Sequence, residues 1–252
     1  MVALKDGVTL QQQGNLAAAL DRFNDALRME PEFATAYAHR GTLFLQMGLS
    51  GRAIMDFDRA INLEPINPEF LVGRGDAYLS DGQPHQAIAE YGRALALDGN
   101  SALAYARRGD VYLLGLGQPQ LALPDYDAAL RRAPNDYLTL NNRSQAYSDL
   151  GRLAEAMADL ERAIALEPAT ARAYVQRGTL RSRAGLYEEA IGDFNQAAAL
   201  APEQPDAFVR RALVYTLLGQ DAEAQADIDR AVALGADREA LNNAVEGVKA
   251  KR

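Results

Sequence analysis

A small residue recurs along this 252-residue chain at an almost constant interval of 34 residues. It occupies Gly7, Gly41, Gly75, Gly109, Ser144, Gly178 and Ala212. The one exception is the step of 35 residues between Gly109 and Ser144. A fixed period in this range is typical of repeat arrays, in which each repeat is one supersecondary unit that stacks on its neighbours. Any local motif must therefore be interpreted as one copy of a repeat.

Other residues recur in the same phase and predict a helical hairpin in each repeat. A glycine follows seven residues later, or eight in repeat four, at Gly14, Gly48, Gly82, Gly117, Gly151, Gly185 and Gly219. Apolar residues recur at three- and four-residue spacing on both sides of it, which is the helical period. The glycine permits a turn with positive φ. Proline ends most repeats, at Pro31, Pro65, Pro134, Pro168 and Pro202, because it cannot continue a helix.

The consensus resembles the tetratricopeptide repeat, with Gly at position eight, an aromatic residue at eleven, Ala at twenty, an aromatic residue at twenty-four, Ala at twenty-seven and Pro at thirty-two. The resemblance implies an all-α fold, a right-handed superhelical α-solenoid of antiparallel helix pairs. It implies one domain over residues 1–252. The predicted repeats span 1–33, 34–67, 68–101, 102–136, 137–170, 171–204 and 205–238, and a capping helix spans 239–252.

An arginine lies at the seventh position of repeats two to seven, on the helix face that should be packed. These residues are Arg40, Arg74, Arg108, Arg143, Arg177 and Arg211. An acid follows sixteen residues later, or seventeen in repeat four, at Asp56, Glu90, Asp125, Asp159, Asp193 and Asp227. Repeat one has the reversed pair, Asp6 and Arg22. Since an unpaired buried charge is costly, we expect a salt bridge within every repeat rather than a row of anion-binding arginines.

Repeat four breaks the period. It has an extra residue near "GLGQP" and a proline, Pro124, within its second helical segment. A proline well inside a helix costs about 3 kcal/mol or more, whereas in the first turn it is tolerated. We therefore expect a kink or a late start of this helix.

Motifs that suggest catalysis have a simpler explanation in the repeat pattern. The acids of "DFD" at 56–58, "DYD" at 125–127 and "DID" at 227–229 are two residues apart, so on a helix one is packed and the other faces solvent. The two histidines, His39 and His85, occupy different phases of different repeats. The sequence predicts no catalytic site, no cofactor and no metal site, and hence a protein that is not an enzyme.

The composition limits the kinds of partner and the cellular locations that we expect. The chain has 26 basic and 34 acidic residues and a net charge of −8, which argues against nucleic acid as a partner. It has no cysteine. It has no apolar run of the roughly 18 residues that a membrane-spanning helix needs, so we expect no membrane partner. The expected location is cytoplasmic, or periplasmic or exported if an export signal has been removed.

The resemblance implies that ligands contact positions two, five, six, nine, twelve and thirteen of the first helices, which line a concave groove. The predicted peptide-binding residues are Asn141, Asn142, Gln145, Arg172, Gln176, Thr179, Arg183 and Arg210. Side-chain amides bond both N–H and C=O groups of an extended peptide, and arginines pair with carboxylates. The carboxylate clamp of chaperone-binding relatives is not matched, because Ala106, Asp110 and Gln176 replace its residues. The groove positions of repeats two and three are neutral to acidic.

Arg181 stands where five repeats have Tyr or Phe. We expect it to extend along the helix to a nearby acid, and the alternative is a functional site.

We expect a non-catalytic scaffold that binds a peptide or protein segment. Two alternatives stay open. The first is a structural module that forms a homodimer through its N-terminal repeat, which lacks a matching cap. The second is a regulatory part of a larger multidomain protein.

Overall fold

The computed structural model describes residues 2–250, and within that range every regular element is helical. The α-helices are α1 (Val2–Gln12), α2 (Leu16–Met29), α3 (Ala34–Gln46), α4 (Ser50–Leu63), α5 (Pro68–Ser80), α6 (Pro84–Leu97), α7 (Ala102–Asp110), α8 (Pro119–Arg132), α9 (Tyr137–Asp149), α10 (Leu153–Leu166), α11 (Ala171–Arg183), α12 (Tyr187–Leu200), α13 (Asp206–Leu218), α14 (Asp221–Ala233) and α15 (Arg238–Lys249). They form seven antiparallel hairpins and a final single helix, as the repeat pattern predicts.

Two kinds of glycine explain why each repeat folds as a hairpin. The turn glycine of every repeat has a φ between 63° and 78°, a region that other residues rarely adopt. The eighth-position glycine lies against the aromatic ring of the second helix. A Cβ on Gly75, for example, would lie 2.6 Å from the Tyr91 ring. Glycine at this place therefore lets the two helices approach closely around a buried ring.

The described residues form two compact units, 2–134 and 135–250. The first contains α1 to α8, with the fully buried rings of Phe23, Tyr91 and Tyr126 in its core. The second contains α9 to α15, and Leu160 and Phe194 have the same role there. In α15, Leu241 and Val245 pack on Ala212, Ile228 and Ala231 of the last hairpin. This confirms the predicted capping helix.

The six predicted arginine–acid pairs are confirmed. Their N···O distances are 2.6–2.7 Å, in the pairs Arg40–Asp56, Arg74–Glu90, Arg108–Asp125, Arg143–Asp159, Arg177–Asp193 and Arg211–Asp227. The six acids are 3–7% exposed. In most pairs the arginine Nε and Nη2 each donate a hydrogen bond to a different oxygen of the carboxylate, as in Arg40 with Asp56. The bridge therefore joins the two helices of one hairpin.

The reversed pair of repeat one behaves differently, and the prediction for Asp6 and Arg22 is wrong. Arg22 pairs with Asp25, one turn along α2, at 3.2 Å. No ion pair between Asp6 and Arg22 is present in the described part of the chain. Both residues are exposed, so nothing forces the two charges to meet across the hairpin.

Several of these arginines have a second contact, with the preceding repeat. Nη1 of Arg40 donates to Asn24 at 2.7 Å, and Nη1 of Arg74 donates to Asp58 at 2.6 Å. Arg211 bonds Asn195 in the same way. These acceptors lie in the second helix of the preceding repeat. The second acid of "DFD" is therefore a link to the next repeat rather than a purely solvated charge.

Repeat three lacks this acceptor. Its residue at the equivalent position is Gly92, and Arg108 is the most exposed arginine of the six pairs, at 25%. A Cβ on Gly92 would lie 3.8 Å from Arg108 Nη1, with nothing closer. The space for an acceptor is therefore present.

The extra residue of repeat four lies in its first helical segment. A π-helical turn over Val111–Gly115 follows α7 and accommodates it. Of the predicted kink or late start of the second helix, the late start is wrong, because α8 runs over Pro119–Arg132 with Pro124 inside it. The kink at Pro124 stays a prediction. Pro124 and Gln120, whose carbonyl loses its intrahelical partner, are both exposed, so water can satisfy that oxygen.

The variant Asp159→Ala should lower the free energy of unfolding by about 3–5 kcal/mol, because the largely buried Arg143 guanidinium loses its carboxylate. Urea denaturation followed by circular dichroism measures this. Glu155→Ala is the matched control, since Glu155 pairs with Arg152, the residue before the first turn of the same helix, and both side chains are nearly half exposed. A loss no larger than that of the control would contradict a structural role for the buried bridge.

Adding the missing acceptor should stabilise the chain. Gly92→Ala should raise the free energy of unfolding by about 1 kcal/mol, because alanine is the better helix former. Gly92→Asp should be at least as stable as Gly92→Ala, although aspartate has the lower helix propensity, because its carboxylate can accept from Arg108 Nη1. Denaturation of both variants side by side tests this, and an Asp variant clearly weaker than the Ala variant would contradict it.

Candidate functional site

The first helices of the second unit form a cleft of about 190 Å³. It lies among α9, α11 and α13, over a floor that includes Leu160, Val175 and Leu180. Five of the eight predicted peptide-binding residues line it, namely Gln145, Gln176, Thr179, Arg183 and Arg210. Ser144, Ser148 and Asp149 complete the lining.

Helical spacing places these side chains together. Gln176, Thr179 and Arg183 are three and four residues apart on α11, and Gln145, Ser148 and Asp149 have a similar spacing on α9. Residues at such intervals share one face of a helix. The groove positions of two neighbouring repeats therefore face one cleft.

Hydrogen bonds orient the polar groups of the cleft. Arg183 Nη1 donates to the Ser148 hydroxyl at 2.8 Å, which joins α11 to α9. Gln145 Nε2 donates to Asp149 Oδ1 at 2.6 Å. The Thr179 hydroxyl donates to the Val175 carbonyl at 2.7 Å. Arg183 and Arg210 are both exposed, so the cleft presents two cations and one anion.

The remaining three predicted residues have other surroundings. Asn141 and Asn142 are 3% and 9% exposed and do not line the cleft. Arg172 is exposed, and its Nη2 lies 3.4 Å from Asn142 Oδ1. The sequence placed all three at groove positions, but it could not show how deeply the asparagines are packed.

Two buried amide oxygens in this region have no hydrogen-bond partner among the described residues. They are Asn141 Oδ1 and Gln176 Oε1. Buried polar atoms are almost always hydrogen-bonded, and an exception points to strain, to water or to an absent ligand. Gln176 also lines the cleft, so this unsatisfied amide lies beside the space that a ligand would fill.

Ser148 was not predicted as a site residue. Its position in the repeat could have identified it, because Ser148 is at position twelve of repeat five, one of the positions that contact ligands in this family. The hydroxyl is held by Arg183, an arrangement that involves two repeats and cannot be deduced from either alone.

Arg181 has the structural role that we expected. Its Nη1 lies 2.8 Å from Asp193 Oδ2, and the same carboxylate accepts from Arg177. The departure from the aromatic residue of other repeats therefore adds a second cation to the buried bridge of repeat six.

The first unit has a different inner face, with carboxylates beside buried tyrosines. The Tyr91 hydroxyl donates to Asp76 at 2.6 Å, and the Tyr126 hydroxyl donates to Asp110 at 2.9 Å. Asp76 also faces Arg107 at 3.6 Å. Burial raises the pKa of Asp76, and the Tyr91 hydrogen bond and Arg107 only partly oppose this. The two inner faces therefore differ in chemistry as the sequence indicated.

Residues 2–250 contain no group of three or more histidine and acidic side chains placed to hold a metal ion. Within the same range no helix has the length and apolarity required to span a membrane.

Comparison with known families agrees with the hairpin architecture. The tetratricopeptide repeat model matches residues 4–69, 112–173, 141–205 and 175–239, and the TPR repeat model matches 75–115. The chain belongs to the tetratricopeptide repeat family. It is an all-helical solenoid of stacked antiparallel helix pairs, built as seven repeats and a capping helix. The family is a scaffold family, typically non-catalytic, whose repeats commonly mediate protein–protein interactions.

Similar proteins match this chain over different lengths. A stretch of 63 residues is 40% identical to the tetratricopeptide repeat and J domain-containing co-chaperone DNJ1 of Fusarium oxysporum f. sp. lycopersici, over 25% of this chain and 12% of that protein. The crystal structure of the APC/C hetero-tetramer Cut9-Hcn1 superposes with a TM-score of 0.78 at 20% identity, over 96% of this chain and 48% of that one. YrrB, a TPR protein with an unusual peptide-binding site, gives a TM-score of 0.59 at 23% identity, over 73% of this chain and 95% of YrrB. These structures share the fold, and the chain spans about half of the Cut9-Hcn1 chain and far less of the co-chaperone.

The raised pKa of Asp76 gives a pH prediction. The folded state holds the Asp76 proton more tightly than the unfolded state, so this residue reduces stability as the pH rises above the ordinary value of 3.8. Asp76→Asn does not titrate but still accepts from Tyr91. Its free energy of unfolding relative to wild type should therefore increase with pH, as measured by urea denaturation at several pH values.

The control is Asp81→Asn. Hydrogen bonds from Ser50 and Gln83 lower the pKa of Asp81, so the ionised form stabilises the fold and the variant should lose stability relative to wild type as the pH rises. A pH-independent difference for Asp76→Asn would contradict the raised pKa.

Proposed function

We propose that this chain is a non-catalytic scaffold that binds an extended acidic segment of a partner protein on the inner face of its second unit. The observation that carries the proposal is the cleft of α9, α11 and α13, in which the buried Gln176 oxygen lacks a partner beside two exposed arginines. The family to which the chain belongs supports the general function, protein–protein interaction.

The charges of the cleft favour an acidic segment. Arg183 and Arg210 contribute two positive charges, and Asp149, which already accepts from Gln145, contributes one negative charge. Guanidinium groups bind carboxylates with paired hydrogen bonds. An Asp or Glu side chain entering the cleft would meet donors from α11 and α13 together.

The amides favour an extended backbone. A rotation of the Gln176 side chain toward the cleft would let a ligand N–H donate to Oε1, which would satisfy an acceptor that otherwise remains unpaired. The apolar floor of Leu160, Val175 and Leu180 would lie beneath the aliphatic part of the ligand side chain. YrrB, which shares this fold, has a peptide-binding site by its own description, but its identity to this chain is too low to transfer the ligand.

The chain could also be a regulatory part of a larger multidomain protein. That alternative is compatible with the same cleft, because it adds other domains and does not change the binding surface.

Removing both arginines should weaken binding of acidic peptides without unfolding the protein. We expect Arg183→Ala with Arg210→Ala to reduce the affinity for Glu- and Asp-containing peptides on an array by about tenfold or more, since charge-assisted hydrogen bonds contribute about 1.5–3 kcal/mol each. Fluorescence anisotropy with the best peptides measures this, and circular dichroism checks the fold.

Arg131→Ala is the matched control, because Arg131 is an exposed arginine that does not line the cleft. Peptides in which Lys replaces Glu and Asp test the sign of the charge. Equal binding of acidic and basic peptides, or equal loss in the control, would contradict the proposal. Selective binding of phosphorylated peptides would assign the same cations to a different anion.

A further inference from the structure

The first hairpin exposes a face that the other hairpins bury. The third residue of the repeat is at most 5% exposed in repeats two to seven, at Ala36, Phe70, Ala104, Thr139, Ala173 and Ala207. The equivalent residue of repeat one, Val2, is 75% exposed. Around Ala36 the cover is visible, since it packs against Ala26 and Leu27 of the preceding hairpin. The face of Val2 is therefore built like a packing surface.

This face is a cleft of about 590 Å³ with mixed chemistry. We define the first-hairpin face by all the residues of its lining, which are Val2, Ala3, Asp6, Arg22, Asp25, Ala26, Arg28, Met29, Glu30 and Phe33. Its apolar part includes Met29, which is 75% exposed like Val2. Large exposed apolar side chains in a shared cleft, rimmed by charges, mark an interaction surface.

The charges of the face are reversed relative to every other repeat. In repeats two to seven the buried pair has arginine on the first helix, and in three of them that arginine also bonds an acceptor on the preceding hairpin. Repeat one has Asp6 in the place of that arginine. A structure that covers this face must therefore offer a cation opposite Asp6, whereas the hairpins inside the array offer Asn or Asp.

The face itself carries such cations. Arg22 and Arg28 lie on α2, and their side chains are 47% and 77% exposed. Both contact Asp25, and each retains further N–H groups, since a guanidinium has five. Asp6 has no salt bridge among the described residues. The first-hairpin face thus has an unmatched acid and partly free arginines on one surface.

We propose that the first-hairpin face binds a second copy of this chain. A two-fold interface brings the same surface of both copies together, so residue i contacts residue j and residue j contacts residue i. Val2 and Met29 of the two copies pack at the centre, and Asp6 of each copy faces Arg22 of the other. The face has the self-complementary charges that this symmetry requires.

Sedimentation equilibrium of the full chain, with any affinity tag at the C-terminus, should show a concentration-dependent dimer. Met29→Glu should weaken the dimer by about tenfold or more, because it places a charge at the apolar centre of the interface. Asp6→Arg and Arg22→Asp should each weaken it by juxtaposing like charges. A mixture of the two single variants should restore it as a heterodimer, because each charge then faces its opposite on the other copy and neither copy carries an arginine–acid pair of its own.

Ile66→Glu is the control, since Ile66 is an apolar side chain of similar exposure, 81%, outside the face. Circular dichroism of each variant separates loss of the dimer from loss of the fold. A monomer at every concentration would overturn the proposal. So would a dimer that Ile66→Glu disrupts and Met29→Glu does not, or a mixture of Asp6→Arg and Arg22→Asp that associates no better than either variant alone.

Discussion

The buried bridge between the seventh-position arginine and the acid of its own repeat organises the rest of the structure. It places a charged side chain among packed helices, which is tolerated only because Nε and Nη2 of most of these arginines meet both oxygens of a carboxylate that is itself at most 7% exposed. The geometry fixes the distance and rotation between the helices of a hairpin. Nη1 then remains free to reach the preceding hairpin, as in Arg40 with Asn24 and Arg74 with Asp58.

Most of the fold could be predicted from the sequence, because a repeat shows the same constraint several times. The glycine that faces a ring recurs at the same position of most repeats, and so does the arginine with its acid. A pattern that arises by chance in one repeat can therefore be recognised by comparison with the other repeats. The two errors fall where a repeat departs from its copies. Asp6 and Arg22 are exposed and do not pair, and the second helix of repeat four begins at Pro119, with Pro124 inside it, instead of starting late.

The cleft was only partly predictable. Position in the repeat placed Gln176 and Arg183 on the correct helix face, because helical spacing determines which face a residue shares. It did not reveal that Asn141 is packed to 3% exposure, since depth depends on the sizes of neighbours from other helices. The bond between Arg183 and Ser148 and the unpaired oxygen of Gln176 likewise depend on side-chain rotamers across two repeats.

The Nη1 contacts have a consequence for how such a chain can lengthen. Repeat two shows both halves of the link, because its Arg40 donates to the hairpin before it and its Asp58 accepts from the hairpin after it. The units therefore join head to tail, and a tandem duplication of the coding segment for such a repeat would create a new junction that is already matched. Repeat one fits only half of this rule. Its Asn24 accepts from Arg40 of the repeat that follows, but Asp6 stands where the other repeats have the arginine that faces the preceding hairpin. Duplication can extend the array internally, whereas the surface of the first hairpin is free to evolve separately.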